Sequence, residues 1–388
     1  MSAGAETQGK YALYGAYASL YTGKARSYLR KKGISFIERM PAHPRFREHV
    51  SVIAESKRIP ILETPDGQII QDTTAIFDHV EAVHPTPPAL PPGPKQRLAA
   101  HLIEYFASEN LVRVAWHFRW SFLEENLHFV KREFGRSFKP QGSDAELDHY
   151  GNIIVSRMHG YRKATGITPE MYGTLQDIYF DVLDALEEHF TAHPFLFGGL
   201  PSIADFSLMG PLFAHLGRDP YPLHLMQRRT PRVFRWVEHM STPEIQSPEF
   251  ADTPMEYLAG DEVPETILRL LRQLCGDYNV QILANAHLYN DWVAANPGLA
   301  PGALVSSEGL DQPSLGDIAV DLRGHRLVMA SQIHGLWIFQ RALNWYRGLD
   351  PAARAACDAL AVSVGAAPLL AIELARPLTR VRNRLAVA

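Results

Sequence analysis

Three hydroxyl side chains lie at the start of a predicted helix near the beginning of the chain. Tyr17, Ser19 and Tyr21 precede or open residues 22–32, whose composition favours a helix that Gly33 ends. The free amides and the dipole of a helix N-terminus favour an anion such as a thiolate. As a hydrogen-bond donor, a serine hydroxyl lowers the pKa of a bound thiol without acting as a base. Ser19 is therefore a candidate hydrogen-bond donor to an anion bound here, Tyr17 and Tyr21 are the alternatives, and a plain N-cap is the other interpretation.

Two further segments have residue types that suit an extended polar ligand. The Ile59–Pro60 bond is a candidate cis peptide, because only X-Pro bonds adopt the cis form cheaply. In that form Ile59 would turn its backbone groups outward, as an added strand requires; the alternative is a trans proline that opens a strand. Asp72 and Thr73 begin another predicted helix, where they could hold a charged group or simply cap the helix.

A row of mixed side chains lies on one face of a long predicted helix over residues 96–127. Phe106, Asn110, Arg113, His117 and Trp120 are spaced by three or four residues. Arginine and histidine among aromatic rings would suit an aromatic ligand with a polar or anionic group. The alternative is a helix that packs its aromatic residues in the core and extends its arginine towards solvent.

Metal and cysteine chemistry have little support in the sequence. His189 and His193 have a spacing that a metal could use, but no third ligand accompanies them. Cys275 and Cys357 are too few for a disulfide framework and too late in the chain for an amino-terminal redox pair. We expect no metal.

Short strands and helices position the first group of candidates. Residues 11–14 and 34–38 are strand-like and flank the first helix, which makes a βαβ unit. Residues 59–63 and 68–71 flank a Pro-Asp-Gly turn typical of a hairpin, and a helix follows over 73–83. This order predicts a small α/β domain.

The rest of the chain is predominantly helical after a proline-rich linker at residues 85–94. Helical patterns continue to about residue 240. Beyond that point the sequence predicts a helix near 264–296, a strand pair at 317–321 and 326–329, and further helices from Gly335 and Pro351. The domains we predict are therefore 10–86, 95–244 and an extension over 245–388.

Composition excludes several classes of protein. The 38 basic and 42 acidic residues nearly cancel, whereas a nucleic-acid-binding protein needs a basic surplus. The most apolar late stretch, residues 359–372, is too short to span a bilayer. Residues 1–10 lack the apolar core of a secretory signal, so we expect a cytoplasmic protein without a membrane span or a nucleic-acid partner.

Three motifs in order resemble the soluble glutathione S-transferase superfamily over residues 10–240. The motifs are Leu13–Leu29, then Arg58–Leu62 with Gln71–Ile76, and finally Phe195–Phe206. The first is similar to the family's first strand and active-site loop, and the second to its cis-proline and acidic helix start. The third is similar to a buried capping motif, in which we expect Ser202 and Asp205 to form a capping box without a catalytic part.

This resemblance implies a thioredoxin-like, glutathione-binding first domain and an all-helical second domain. Ser19 would activate the thiol of glutathione, since it occupies the position of the hydroxyl in the serine-type classes. The remaining glutathione-binding residues would be Lys57, Arg58, Ile59, Pro60, Asp72 and Thr73.

The second-substrate site would lie at the helix 96–127, in the cleft between the domains. The residues expected to line it are Tyr17, Tyr21, Phe106, Arg113, His117 and Trp120.

The predicted activity is transfer of glutathione to a small hydrophobic or aromatic electrophile, or dehalogenation, ether cleavage or isomerisation through the same thiolate. The family is usually dimeric, so we expect a homodimer unless the extension covers that surface. The alternative is a non-catalytic module with this fold, which binds glutathione or a protein partner through the extension.

Overall fold

A four-stranded sheet with strand order β2-β1-β3-β4 forms the first part of the chain in the computed structural model, which describes residues 9–305 and 314–388. β1 pairs in parallel with β2, while the β1–β3 and β3–β4 pairs are antiparallel. The elements are β1 (Tyr11–Tyr14), α1 (Leu20–Lys31), β2 (Phe36–Arg39), α2 (Ser51–Ile53), β3 (Ile61–Glu63), β4 (Ile69–Gln71) and α3 (Thr73–Val83).

Alternation along β1 explains why this short segment is a strand. Tyr11 and Leu13 face the large hydrophobic core, and Ala12 and Tyr14 face a second cluster on the other side of the sheet. A strand that is buried on both faces has a continuous apolar sequence, and residues 11–14 have such a sequence.

The register of the sheet brings three sequence segments to one edge. Tyr14 is paired with Ile61, and Ile61 is paired with Gln71. The loop after β1, the residues before β3 and the residues after β4 therefore lie side by side, and α1 and α3 both begin there.

Helices follow up to residue 240. The elements are α4 (Pro94–Tyr105), α5 (Leu111–Trp120), α6 (Leu123–Phe138), α7 (Asp144–Gly160), α8 (Tyr172–His189), α9 (Ile203–Ala214), α10 (Pro220–Arg229) and α11 (Pro231–Met240). A π-helical turn over Phe106–Asn110 joins α4 to α5. The predicted helix 96–127 thus comprises α4, the π-helical turn, α5 and the start of α6, and Ser121 and Phe122 separate α5 from α6.

Two capping boxes fix helix starts in this region. Ser202 and Asp205 form the predicted box at α9, where the buried Asp205 also accepts a hydrogen bond from the amide of Leu196. A second box joins Ser143 and Glu146 at the start of α7.

The extension is mixed rather than purely helical. Its elements are α12 (Glu265–Ala295), β5 (Asp317–Leu322), β6 (His325–Ala330), α13 (Ile333–Arg347), α14 (Pro351–Val364), α15 (Ala367–Leu370), β7 (Leu378–Val381) and β8 (Arg384–Val387). The predicted helix 264–296 and the predicted strand pair are confirmed. The β7–β8 hairpin was not predicted.

One hydrophobic core joins all three segments of the chain. It includes Leu13 from the sheet, Leu102 from α4, and Leu270 and Phe339 from the extension. α13 and α14 pack on α4, so the extension contributes to the same core as the rest of the chain. Within the described residues, no helix combines the length and the apolar character needed to cross a bilayer. Residues 1–8 lie outside the described part of the chain.

Candidate functional site

Ser19 is the N-cap of α1. Its backbone is extended, and its hydroxyl oxygen accepts a hydrogen bond from the amide of Thr22 at 3.2 Å. The side chain is partly exposed, and the first turn of α1 contains no acidic residue. The hydroxyl proton is not used by this bond, so Ser19 can cap the helix and donate to an anion at the same time.

The two tyrosines beside Ser19 have different surroundings. The hydroxyl of Tyr21 donates to the carbonyl of Ser108 at 3.3 Å, and burial together with the charges of Glu109 and Asp72 raises its pKa. The ring of Tyr17 is 40% exposed and lies 3.9 Å from the guanidinium of Arg26. The hydroxyl of Tyr21 is therefore already engaged, which favours Ser19 as the donor to a thiolate.

The segment before β3 has the predicted backbone form. The Ile59–Pro60 bond is cis, and Pro60 is buried while Ile59 is partly exposed. Lys57 and Arg58 precede this bond and are both exposed. Together these residues form a basic, extended segment beside the loop that carries Ser19.

Asp72 caps α3 in a backbone conformation with φ of 91° and ψ of 138°. A positive φ is uncommon for a residue with a side chain, and such conformations cluster at ligand-binding sites. Its Oδ1 accepts the amide of Thr74 at 2.8 Å, and the next residue, Thr73, is 8% exposed. The carboxylate is thereby held at the same sheet edge as Ser19 and Pro60.

A histidine from the extension lies on this carboxylate. His334 contacts Asp72 Oδ2 through Nε2 at 2.9 Å and Glu109 Oε1 through Nδ1 at 3.2 Å. Burial disfavours its charged form, but the two carboxylates outweigh burial and raise the pKa of His334 to about 10. Burial would raise the pKa of Asp72, yet the charge of His334, its hydrogen bond and Arg380 hold it below its usual range. The imidazole is therefore charged at neutral pH.

Arg380 of β7 is the second residue of the extension at this edge. It donates to the backbone carbonyl of Gln71 at 2.8 Å and to the side-chain oxygen of the same residue. Neither His334 nor Arg380 was assigned to the site from the sequence, because each is separated from its partner by more than 250 residues. For Arg380, the basic character of residues 376–384 was an available signal.

The residues predicted for the second-substrate site are mostly buried. Phe106 and His117 have no exposed surface, Trp120 is 2% exposed and Arg113 is 3% exposed. Arg113 donates to Gln281 of α12 at 2.9 Å and to the carbonyl of Thr165 at 2.8 Å. Tyr17 and Tyr21 lie near the start of α1, apart from this buried row in sequence. The structure therefore places four of the six in the interior, and their role as a second-substrate site stays a prediction.

Other reactive groups do not gather into a second centre in the described residues. No group of three or more metal-ligating side chains occurs in 9–305 and 314–388. His189 bonds to Thr266 and to the carbonyl of Phe195. Burial raises the pKa of Cys275 to about 12 and that of Cys357 to about 11, which keeps both thiols protonated.

Comparison with known families identifies two regions. The model of the glutathione S-transferase N-terminal domain matches residues 13–88, and that of the C-terminal domain matches residues 154–239. No curated protein has a sequence that matches this chain.

Solved structures similar to the chain include three bacterial proteins. A glutathione S-transferase from Rhodospirillum rubrum F11 is 16% identical with a TM-score of 0.38, covering 66% of this chain and 97% of its own. The β-etherase LigF from Sphingobium sp. strain SYK-6 is 19% identical with a TM-score of 0.43, and the match covers 62% of this chain and 96% of LigF. A glutathione S-transferase from Methylobacterium radiotolerans, solved with glutathione sulfonate, is 20% identical with a TM-score of 0.36, covering 64% and 96%.

Proposed function

Because this chain belongs to the glutathione S-transferase superfamily, we propose that it is a glutathione-dependent transferase. Its site would activate the thiol of glutathione as a thiolate, for attack on an aromatic or hydrophobic electrophile. The observation that carries the proposal is the sheet register, which brings Ser19, the cis Ile59–Pro60 bond and Asp72 to one edge.

Each segment at this edge suits a different part of the tripeptide. The outward backbone groups of Ile59 would pair with the cysteinyl residue as an added strand does. Asp72 would hold the γ-glutamyl ammonium, and the amide and hydroxyl of Thr73 its carboxylate. Lys57 or Arg58 would pair with the glycyl carboxylate, which places the sulfur at Ser19.

Ser19 would lower the pKa of the bound thiol by donating a hydrogen bond to the sulfur. The thiol proton leaves to solvent, the sulfur forms a bond to the electrophilic carbon, and a leaving group departs with the bonding electrons. Binding both reactants in one cleft supplies the rest of the rate gain. Phe106, Arg113, His117 and Trp120 stay candidates for the second-substrate site.

Two assays test the proposal. Calorimetry with glutathione should detect a complex with the full-length protein. Turnover with a panel of aryl halides, epoxides, disulfides and aryl ethers should then be glutathione-dependent for at least one class. Failure to bind glutathione would contradict the proposal, and binding without turnover on any class would favour the non-catalytic alternative.

That alternative is a module with this fold that binds glutathione or a protein partner through the extension. The observation in its favour is that His334 already lies on Asp72. A homodimer, a role in detoxification and a cytoplasmic location remain proposals. Light scattering checks the dimer: twice the monomer mass would support it, and a monomer would indicate that the extension covers the pairing surface.

A further inference from the structure

The extension covers one particular part of the sheet edge. α13 begins with Ile333, and its second residue, His334, reaches the N-cap of α3. Gly335 packs so closely against Tyr105 and Glu109 that an added Cβ would lie 3.0 Å and 3.1 Å from their side chains. This close approach fixes the first turn of α13 beside the sheet edge.

The hydrogen-bonding groups of His334 and Asp72 are already engaged within the protein. The two ring nitrogens of His334 each contact a carboxylate, one on Asp72 and one on Glu109. Asp72 uses Oδ1 for the amide of Thr74 and Oδ2 for His334. The imidazolium has no N–H left for a ligand, and the carboxylate already has a cation in place.

The extension is anchored on both sides of this contact. Arg380 holds Gln71 at the end of β4, and Asn383 donates to the carbonyl of Ala54 at 2.8 Å. On the other side, Arg341 of α13 pairs with Asp78 and with the buried Glu104. The position of His334 therefore does not depend on its own ion pair alone.

We propose that His334 is an internal competitor, which competes with the amino group of glutathione for the carboxylate of Asp72. Its imidazolium lies on the carboxylate that the ligand's ammonium would use, so the ligand binds fully only after displacing it. The inference rests on the proposed function, because it takes the assignment of Asp72 to the γ-glutamyl end from there. It makes the extension a determinant of glutathione affinity.

Displacement of the histidine has a consequence for protons. Asp72 and Glu109 face His334 directly, Arg380 and Tyr21 lie near Asp72, and Arg58 lies near Arg380. Away from the two carboxylates, the imidazole returns to an ordinary pKa of about 6.5. Ligand binding near pH 8 should therefore release a proton from His334.

S-Methylglutathione is the probe that isolates this effect, because it keeps the ammonium and lacks the thiol. Calorimetry at pH 8 compares the wild type with His334→Gln, which removes the charge. His325→Gln is the matched control, since it removes an exposed histidine of the extension on β6. We expect His334→Gln to bind the probe roughly tenfold more tightly, as removal of a competing cation–carboxylate pair would allow. The control should bind as the wild type does.

Repeating the titration in buffers of different ionisation enthalpy counts the protons. The wild type should release about one proton per probe bound and His334→Gln close to none, because the probe has no thiol to ionise. Arg380→Gln is the second variant if His334→Gln folds poorly. It removes an anchor of the extension beside Asp72, so His334 should be displaced more easily and the probe should again bind more tightly. Unchanged or weaker binding by both folded variants would overturn the competitor.

The outcomes separate the competitor from the proposed function. If the wild type binds the probe and neither variant binds it more tightly, the competitor role of His334 is refuted and the proposed function is not. If the wild type does not bind the probe but His334→Gln does, the competitor role is supported. Absence of binding by every protein tested would contradict the proposed function, and the competitor with it.

Discussion

Two helix N-termini lie at the sheet edge, and they differ in exposure and in the contacts that they make with the extension. α1 begins at Ser19, which is partly exposed and receives one local hydrogen bond. α3 begins at Asp72, whose carboxylate is 14% exposed and carries His334 from 262 residues away. Under the proposed function, the thiol end of the ligand would depend on local sequence, and its amino end on the extension.

The largest expected effect comes from removing the carboxylate at the covered terminus. Asp72→Asn keeps an oxygen to cap α3 but loses the charge for the γ-glutamyl ammonium. We expect glutathione affinity to fall by about 2–4 kcal/mol, roughly 30-fold or more, although His334 is freed as well. Calorimetry measures the change, with Asp66→Asn in the β3–β4 turn as the control. Unchanged affinity would remove Asp72 from the amino end.

The open terminus is tested by Ser19→Ala. Loss of a hydrogen bond to a thiolate should lower kcat roughly tenfold, while the KM for glutathione changes little. The variant also loses a helix cap worth about 1 kcal/mol. Ser143→Ala at α7 loses a similar cap away from the site and serves as the matched control in steady-state assays. Equal kcat values for the three proteins would leave Ser19 as a plain N-cap.

The ion pair at the covered terminus should make stability depend on pH. The folded-state pKa of His334 is raised to about 10, so its contribution is complete below about pH 6.5 and declines towards pH 10. Asp72, whose pKa is lowered, must be ionised, which holds above about pH 4. Urea unfolding near pH 6 should show the wild type about 2 kcal/mol more stable than His334→Gln. A difference that grows from pH 6 to pH 10 would have the wrong sign.

The smallest effect is expected at the neighbouring tyrosine. Tyr17→Phe keeps the ring on the guanidinium of Arg26 and removes only the hydroxyl. We expect kcat to change by less than about twofold, because cation–π contacts depend on the ring face. A loss as large as that in Ser19→Ala would transfer thiol activation to Tyr17.

Local patterns predicted the elements that hold the open terminus. The apolar run at 11–14, the Pro-Asp-Gly turn and the Ser202–Asp205 box each carry their signal within a few residues. The dipeptide made Ile59–Pro60 a candidate cis bond, and the family resemblance favoured that form over the trans alternative. Such signals act over one turn or one strand, and a single sequence contains them.

The covered terminus could not be predicted in the same way. The contact of His334 with Asp72 depends on how the extension packs against α4, and no local pattern encodes that packing. The β7–β8 hairpin has no glycine at its turn, where Arg382 and Asn383 adopt the positive φ that glycine usually supplies. For the buried row from Phe106 to Trp120, the helical spacing places the side chains on one face, but it does not show whether that face lines a cleft or packs in the core.

The most direct test of thiol activation at the N-terminus of α1 is the pKa of the glutathione thiol in the complex. A pH titration of thiolate absorbance on the wild-type protein saturated with glutathione measures it. We expect a value at least about one unit below that of a free thiol, near 8.5, because Ser19 and the N-terminus of α1 favour the anion. A bound thiol that titrates as it does in free solution would contradict it.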